Sequence, residues 1–404
     1  PSAADRVRSG HIRNPIVRED VERVIGDPRI QRAFRFISEH EPDIQASQIR
    51  LTSVPAPPFG ESERAGVFAD ELHRGGFRSV TDAIGNVIAP YEAFGCNPVV
   101  IAAHLDTVFP ESTPLDLRRK DKTLLLPGIS DNGCGIAALL WSMRAAKDAG
   151  LRFRRPVIAI GNVGEEGEGN LRGMRHLFNA PPWEGRECEF IAIDGGGLQR
   201  ITHRALGSRR FRVRMAGPGG HSWADFGMPN PVHAIASAIH LFAGHGAGRR
   251  PGVSFNVGVV RGGISVNAIP SEASMEVDLR STSLSNLDAL DNQLKRALNE
   301  AVGVAGVECK VEIMGERPSG GTSADSTIVQ AAMAITKRFG VEPQLDVGST
   351  DANIPMSMGI SAIAIGGGGT SGGVHTPEEW FDPTHRDLGL HRLIALIAIL
   401  AGLA

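Results

Sequence analysis

The sequence predicts an α/β fold: a mostly parallel sheet flanked by helices, with an inserted ferredoxin-like βαββαβ domain. Near-continuous apolar runs alternate with helical segments both early and late in the chain, which is typical of a parallel sheet buried on both faces. The middle of the chain instead alternates apolar and polar residues, which favours antiparallel strands with one wet face. The length of 404 residues also exceeds what one ordinary hydrophobic core accommodates, so two domains are expected.

Short apolar segments in the first part of the chain have the composition of buried strands. They occupy residues 97–106, 155–163 and 189–194. Residues 133–150 are rich in Ala, Leu and Met and end in glycine, so they are predicted to form a helix between the first two strands. The same order returns late, with a helix at 326–339, a strand at 361–366 and a final apolar helix. These elements belong to one α/β domain, formed by residues 1–204 and 316–404.

The middle of the chain, residues 205–315, is predicted to be a separate inserted domain. Its alternating strands and helices are expected at 208–215, 230–245 (helix), 254–263, 271–281, 285–303 (helix) and 307–315. The second helix opens on a serine that can cap it. The order β-α-β-β-α-β is that of a ferredoxin-like unit.

Composition and charge exclude several classes of protein. A formal net charge of −3 offers no basic surface for nucleic acid, and no apolar segment approaches 18 residues without a charge, so no membrane-spanning helix is expected. Cys96, Cys134, Cys188 and Cys309 form no CxxC pair and are expected to be reduced thiols in a cytoplasmic protein. Because the sequence starts at Pro1 without a methionine, removal of an N-terminal leader is an open possibility.

Residues of the metal-ligand type lie at the ends of the predicted strands and in glycine-rich loops. They are His104, Asp106, Asp131, Glu165, Glu166, Asp194 and His375. In an open α/β sheet, ligands bind beyond the carboxyl ends of the strands, so these side chains are expected to converge. Histidine and carboxylate without thiolate suit zinc, cobalt or manganese in a hydrolytic site. Two histidines and three carboxylates exceed the needs of one tetrahedral ion, which predicts two divalent ions about 3.5–4 Å apart, bridged by one carboxylate.

Each of these residues also has a purely structural explanation. An isolated HxD segment is usually a packed turn, and a glutamate pair before glycine is usually solvated. Asp131 and Asp194 could be helix caps, and His375 could be a surface histidine. Their shared placement at strand ends and glycine loops is what favours a site. Glu168, by contrast, is expected to be solvated.

Six segments in combination resemble the M20 family of dinuclear zinc peptidases. They are HLDTVFP, SDNGCG, GEEGEG, IAID, GGVHTPEEW and, in the inserted domain, GPGGHS. The resemblance covers about residues 99–380. It implies that His104 and Asp194 bind one metal, that Glu166 and His375 bind the other, and that Asp131 bridges the two. It further implies that Glu165 is the general base and that the Asp106 carboxylate holds the second ring nitrogen of His104.

The same resemblance assigns the inserted domain the roles of lid and dimerisation element, and it implies a homodimer. His221 would help to stabilise an oxyanion, often from the partner subunit; the alternative is a surface loop histidine. Asn267 would bind substrate, and Arg280 would receive a substrate carboxylate or be a surface strand residue.

The predicted function is hydrolysis of an amide bond in a short peptide by metal-activated water, as an exopeptidase or a di- or tripeptidase. An N-acyl-amino-acid amidohydrolase with the same site is the alternative, and a catalytically silent binding protein is the third possibility. A glycine pattern at Gly367, Gly369 and Gly372 precedes VHTPEEW rather than an apolar helix, so a dinucleotide site is not expected. No GxSxG segment supports a serine hydrolase, and no cationic clamp near the ligand loops supports a phosphoesterase.

Overall fold

The computed structural model describes residues 15–91, 96–180, 185, 187–244 and 251–404. The chain forms two compact units. Of the described residues, the inserted unit contains Leu206–Gly320, and the main unit contains those from 15 to 205 and from 321 to 404.

The helices, in chain order, are α1 (Pro15–Gly26), α2 (Pro28–Glu39), α3 (Glu41–Thr52), α4 (Ser62–Arg74), α5 (Gly133–Asp148), α6 (Arg172–Asn179), α7 (Pro231–Gly244), α8 (Leu284–Ala305), α9 (Thr327–Arg338), α10 (Asn353–Ser357) and α11 (Arg386–Ala401). Of these, α7 and α8 belong to the inserted unit. The first four lie in a part of the chain to which the sequence reading assigned no element, although the buried residues of α2 follow helical spacing: Ile30, Ala33, Phe34 and Ile37. Among the described helices, none combines the length and the apolar character needed to cross a bilayer.

The strands, in chain order, are β1 (Val80–Thr81), β2 (Val87–Pro90), β3 (Val99–His104), β4 (Arg118–Lys120), β5 (Thr123–Leu125), β6 (Val157–Asn162), β7 (Glu189–Ile193), β8 (Arg200–Ala205), β9 (Gly207–Ala216), β10 (Gly220–His221), β11 (Val253–Gly262), β12 (Ala268–Ile269), β13 (Glu272–Ser281), β14 (Glu308–Arg317), β15 (Gly320–Gly321), β16 (Gln344–Gly348), β17 (Ser361–Ile365), β18 (Thr370–Gly372) and β19 (Trp380–Asp382).

The main sheet has parallel strands at its centre. Strands β6, β3, β7 and β17 lie side by side in that order and run parallel. Antiparallel strands β2 and β8 flank them. The predicted mostly parallel sheet is therefore confirmed. Because the carboxyl ends of parallel neighbours meet at one edge, the residues that follow β3, β6 and β7 are brought together there.

Helices cover both faces of this sheet. Alternate residues of β3 pack into two different apolar clusters: Val99 and Ile101 join one with residues of α5, α9 and α11, and Val100 joins the other with residues of α6 and α10. All six residues of β3 are buried. Burial on both faces is the physical reason why this strand is a continuous apolar run in the sequence.

The inserted unit is a four-stranded antiparallel sheet packed against α7 and α8. Its strand order is β11-β13-β9-β14, and all neighbours are antiparallel. Phe211, Val213 and Met215 alternate along β9 and are buried against Leu290 and Leu294 of α8. The βαββαβ order of these elements is the predicted ferredoxin-like order.

A small second sheet of the main unit links the segment that leads to Asp131 with the segment that carries His375. Its order is β18-β19-β5-β4, with antiparallel neighbours, and Trp380 of β19 pairs with Leu125 of β5. The chain segment that leads to Asp131 is thereby held against the segment that carries His375.

We expect the α8 face that packs on the inserted sheet to dominate the stability of the inserted unit. Leu294 is 1% exposed, whereas Leu284 on the same helix is 53% exposed. Leu294→Ala should therefore lower the free energy of unfolding by about 2–5 kcal/mol, because it leaves a cavity. Leu284→Ala should cost about 0.5 kcal/mol or less. Urea titration followed by circular dichroism measures both, and equal losses would contradict this packing.

Candidate metal centre

His104 is the last residue of β3, and the loop after it is fixed from three directions. Arg64, which is buried, donates from Nη1 to the carbonyl oxygen of Leu105 at 2.8 Å. The Leu105 N–H donates to the carbonyl of Asn162, the last residue of neighbouring β6, at 2.7 Å. The Thr107 N–H donates to the carbonyl of Ala56. The imidazole of His104 is thus held at the carboxyl edge of the sheet.

Glu165 and Glu166 lie in a tight turn after β6. Gly164 has a φ of +67°, a left-handed conformation that glycine adopts without strain. The carboxylate of Asp106 accepts the N–H of Glu165 at 3.0 Å and the N–H of Glu166 at 2.7 Å, one on each oxygen. Both glutamates are buried. One buried carboxylate therefore sets the backbone that presents two others.

Asp131 lies just before α5, in a loop held by the polar side chain of Asn132. Asn132 donates from Nδ2 to the carbonyl of Ile193 at 2.8 Å, and its Oδ1 accepts the N–H of Gly195 at 3.2 Å. Asn132 thereby brackets Asp194, which follows β7. A Cβ at Gly135 would lie 2.7 Å from the carbonyl oxygen of Ile193, so this approach of α5 to β7 requires glycine. Asn132, not Asp131, is the N-cap residue of α5.

The five predicted metal ligands come together around Asp131. His104 Nε2 lies 3.1 Å from Asp131 Oδ1 and 3.9 Å from Asp194 Oδ1. His375 Nε2 lies 3.1 Å from Asp131 Oδ2 and 3.0 Å from Glu166 Oε1. The two oxygens of Asp131 thus face two different clusters. One is His104, Asp131 and Asp194, the other is Asp131, Glu166 and His375, and within each cluster the ligand atoms lie within 4.8 Å of one another.

Both histidines have raised pKa values. Hydrogen bonds from His375 to Asp131 and Glu166 raise its pKa to about 10. Burial lowers the pKa of His104, but the nearby carboxylates of Asp106, Asp131 and Asp194 outweigh burial and raise it well above its ordinary value. Without a cation, these imidazoles would be protonated at neutral pH and would offset the negative charge of the carboxylates.

The carboxylates respond to the same charges in different ways. Burial raises the pKa of Asp131, but the neighbouring imidazoles of His104 and His375 outweigh it and hold that pKa below its usual range. Burial raises the pKa of Glu166, and the charge of Asp131 adds to the increase. Asp131 therefore has an imidazole beside each of its carboxylate oxygens.

These residues fit divalent cations of the zinc type. Nitrogen and oxygen ligands about 2.0–2.1 Å from a tetrahedral zinc lie about 3.3 Å apart, close to the separations of 3.0–3.9 Å observed here. Asp131 Oδ1 is buried and, among the described residues, receives no hydrogen bond of acceptable angle, although His104 Nε2 is nearby. Two histidines with carboxylates and no thiolate are donors typical of a hydrolytic centre.

The contact between Asp106 and His104 differs from the expected one. His104 Nδ1 lies 3.1 Å from the main-chain carbonyl oxygen of Asp106 and 3.7 Å from its carboxylate. The nearer acceptor is the backbone, because the carboxylate is turned towards the N–H groups of Glu165 and Glu166. The Asp106 carboxylate still attracts a charged imidazole. Burial raises the pKa of Asp106, but His104 outweighs burial, together with the N–H groups of Glu165 and Glu166, so that this pKa lies below its usual value.

Three buried charged residues around the site were missed by the sequence reading. Glu379 is fully buried and accepts hydrogen bonds from the loop that carries Asp131. Asp351 is fully buried, accepts a hydrogen bond from Asn162 at 2.8 Å, and has a pKa that burial raises to about 7. Arg64 is the third. Glu379 alone had a local signal, since it follows His375 in the segment GGVHTPEEW; Asp351 and Arg64 come from distant parts of the chain.

His221 and Asn267 are neighbours within the inserted unit. His221 of β10 pairs with Ala268 of β12, and the Ser222 N–H donates to the carbonyl of Asn267 at 3.0 Å. His221 Nδ1 accepts the N–H groups of Trp223 and Ala224 at 3.2 and 3.3 Å. An Nδ1 that accepts carries no proton, so Nε2 carries it and is a donor. The side chain is exposed.

Arg280 lies towards the end of β13, whereas Asn267 precedes the start of that strand. Arg280 lies eight residues along β13 from Glu272, which corresponds to about 26 Å of extended strand. Its Nε donates to Asp278 Oδ2 at 2.7 Å. The inserted unit therefore presents His221 and Asn267 at one end of its sheet and Arg280 at the other.

The chain is similar in sequence to one protein family and to several known hydrolases. The sequence profile of Peptidase family M20/M25/M40 matches residues 100–402. The chain is 22% identical over 311 residues to succinyl-diaminopimelate desuccinylase from Nautilia profundicola, covering 72% of this chain and 82% of that protein. It is 23% identical over 340 residues to carboxypeptidase G2 from a Pseudomonas species, covering 79% of this chain and 80% of that protein.

Solved structures share the fold. The aminopeptidase PepT from Bacillus cereus superposes with a TM-score of 0.74 at 20% identity, covering 89% of this chain and 98% of that chain. A tripeptidase from Staphylococcus aureus superposes with a TM-score of 0.76 at 18% identity, with the same coverages of 89% and 98%. The main unit and the inserted unit therefore both occur in known peptidase structures.

Binding of a divalent cation to the metal-free protein should release protons. At pH 7.5 His375, with a pKa raised to about 10, is protonated, and only the neutral imidazole can bind a cation. Affinity should therefore fall as the pH falls below about 10. An indicator dye in weak buffer measures the release on adding Zn²⁺. His375→Gln should release about one proton fewer, whereas the exposed-helix variant His233→Gln should match the parent. Proton release that is unchanged in His375→Gln would contradict this protonation state.

Proposed function

The chain belongs to Peptidase family M20/M25/M40, and we propose that it cleaves the terminal amide bond of short peptides, as an exopeptidase or a di- or tripeptidase, with two divalent cations. Membership identifies it as a metal-dependent hydrolase of the peptidase and amidohydrolase type. The observation that carries the finer proposal is the arrangement of two ligand clusters that share Asp131, one oxygen for each.

Zinc is the proposed metal, with cobalt and manganese as alternatives that the same donors accept. His104 and Asp194 would hold one cation, Glu166 and His375 the other, and Asp131 would bridge them. When bound there, the cations would supply a water of lowered pKa and Lewis-acid polarisation of the carbonyl group of the scissile bond. The residues of the chain supply the ligand geometry and move the proton.

Glu165 is the proposed general base. It is 4% exposed, and one of its carboxylate oxygens lies within 4.8 Å of ligand atoms of His104 and Glu166. Its backbone is fixed by Asp106, so the carboxylate is presented at the edge of both clusters. It would accept the proton of the attacking water at a carboxylate oxygen and deliver it to the leaving nitrogen.

The inserted unit is proposed to act as a lid and as a dimerisation element. With Nδ1 occupied by backbone N–H groups, His221 would donate from Nε2 to the oxygen that becomes negative, and Asn267 beside it would bind substrate. Arg280 would bind a substrate carboxylate. Arg280 lies near the end of β13, whereas Asn267 precedes the start of that strand at Glu272 and lies beside the segment of His221. We propose a homodimer in which the two copies together complete one site.

Removal of an acyl group from an N-acyl amino acid is the second candidate function. The two similar curated proteins support one candidate each, since one is named a desuccinylase and the other a carboxypeptidase. Both reactions would use the same cations and the same base.

A substrate panel tests these proposals. Dipeptides, tripeptides and N-acetyl and N-succinyl amino acids would be assayed with zinc, cobalt or manganese. Turnover of peptides supports the exopeptidase, and turnover of N-acyl amino acids alone supports the deacylase. Absence of turnover with every substrate, in protein that has metal bound, would instead indicate a binding protein.

Glu165→Gln should strongly reduce turnover while leaving metal content unchanged. The amide cannot accept the proton, so kcat should fall by about 10²–10⁴-fold, the usual contribution of a positioned base. Glu168→Gln is the matched control, because Glu168 is exposed three residues further along the same turn. Steady-state kinetics and elemental analysis measure both properties. A Glu165→Gln protein with near-parental kcat would refute the assignment of the base.

Asp131→Ala should lose metal rather than only activity. Because Asp131 faces both clusters, its removal takes one ligand from each, and we expect metal content to fall from about two ions per chain to below one. Asp148→Ala, which changes an exposed carboxylate at the other end of α5, should keep both ions. Full occupancy in dialysed Asp131→Ala protein would show that Asp131 does not bridge.

A further inference from the structure

Glu379 is a buried carboxylate that the proposed reaction does not use. It is 0% exposed, and its neighbour Glu378 is exposed. Its Oε1 accepts the N–H of Ser130 at 2.8 Å, the hydroxyl of Ser130 at 2.8 Å and the N–H of Asp131 at 2.9 Å. Its Oε2 accepts the N–H of Gly128 at 2.9 Å. Four donors from one short loop therefore converge on a single carboxylate.

The main chain of Glu379 extends the connection to the loop of His375. Its carbonyl accepts the N–H of Leu126 at 3.1 Å, and its own N–H donates to the carbonyl of Thr376 at 3.1 Å. Glu379 thus joins the chain segment from 126 to 131 with the turn that begins at Gly373 and contains His375. The two segments supply two of the three ligands in the cluster of Asp131, Glu166 and His375.

We propose that Glu379 is a positioning residue of the metal centre: its carboxylate fixes the backbone of Asp131 relative to His375, so that the cluster with Glu166 is formed before a cation binds. The inference rests on the proposed metal centre. Glu379 acts through Asp131 and His375, since its buried carboxylate is taken up by three backbone N–H groups and the Ser130 hydroxyl.

The Glu379 carboxylate matches the donors of this loop. A carboxylate is acceptor-only on both oxygens, which matches four donors. In glutamine, one of the two positions becomes an NH₂ group that faces backbone N–H donors, so at least one hydrogen bond is replaced by a donor–donor contact. Outer-shell partners of metal ligands typically contribute about 10–100-fold to metal affinity.

The experiment compares Glu379→Gln with Glu378→Gln, the adjacent exposed glutamate. Zn²⁺ affinities of the metal-free proteins are measured by competition with a chromophoric chelator, and Co²⁺ is titrated with its visible spectrum recorded. We expect Glu379→Gln to lower the affinity for the second Zn²⁺ ion about 10–100-fold. The spectral change on adding the second equivalent of Co²⁺ should be lost. Glu378→Gln should match the parent. Parental affinities and spectrum in Glu379→Gln would overturn the inference, as would an equal loss in Glu378→Gln.

Ser130→Ala provides a second, milder variant, which guards against a Glu379→Gln protein that does not fold. It removes one of the four donors and leaves the three backbone N–H groups. Because a charge-assisted hydrogen bond is strong, the affinity for the second ion should fall about 3–10-fold. An unchanged affinity would overturn the inference. Because the readout is metal binding, a parent that binds two ions and cleaves no amide refutes the proposed reaction and leaves this test intact.

Discussion

Mutual repulsion among carboxylates at one edge of the main sheet is the constraint on which the site depends. Asp106, Asp131, Glu165 and Glu166 are all largely buried there, and like charges in a buried setting disfavour one another. The structure compensates with positive partners on each side of Asp131, the imidazoles of His104 and His375, whose pKa values are raised in consequence. Two divalent cations would offset the repulsion among these carboxylates more strongly than two imidazolium groups. The electrostatics of the site are therefore consistent with the proposed metal-dependent reaction.

Backbone hydrogen bonds to buried side chains hold this charged arrangement in place. Asp106 binds the N–H groups of the glutamate turn, Glu379 binds those before and at Asp131, and Asn132 binds the backbone on both sides of Asp194. In each case a side chain of one ligand loop satisfies the main chain of another. The ligand loops are therefore linked to one another and not only to the sheet, which limits the rearrangement needed when a cation binds.

The strands that carry the ligands were predictable because burial on both faces leaves a plain signal. Residues 97–106, 155–163 and 189–194 contain β3, β6 and β7, and the alternating middle segments overlap the four strands of the inserted sheet. The four N-terminal helices were missed, although the buried residues of α2 follow helical spacing. Arg64 and Asp351 were also missed, because a buried charged residue looks in the sequence like any surface residue until its partners are known.

The sequence by itself determined the class of fold and offered the candidate ligand side chains in their order along the chain, because hydrophobic period and residue chemistry are local properties. Only the tertiary structure decided which oxygen of Asp131 faces which histidine, that the Asp106 carboxylate supports the glutamate turn, and that the segments of His221 and Asn267 lie side by side in the inserted unit. These are distances between residues remote in sequence, and they follow from strand order, register and loop packing, which no local pattern encodes.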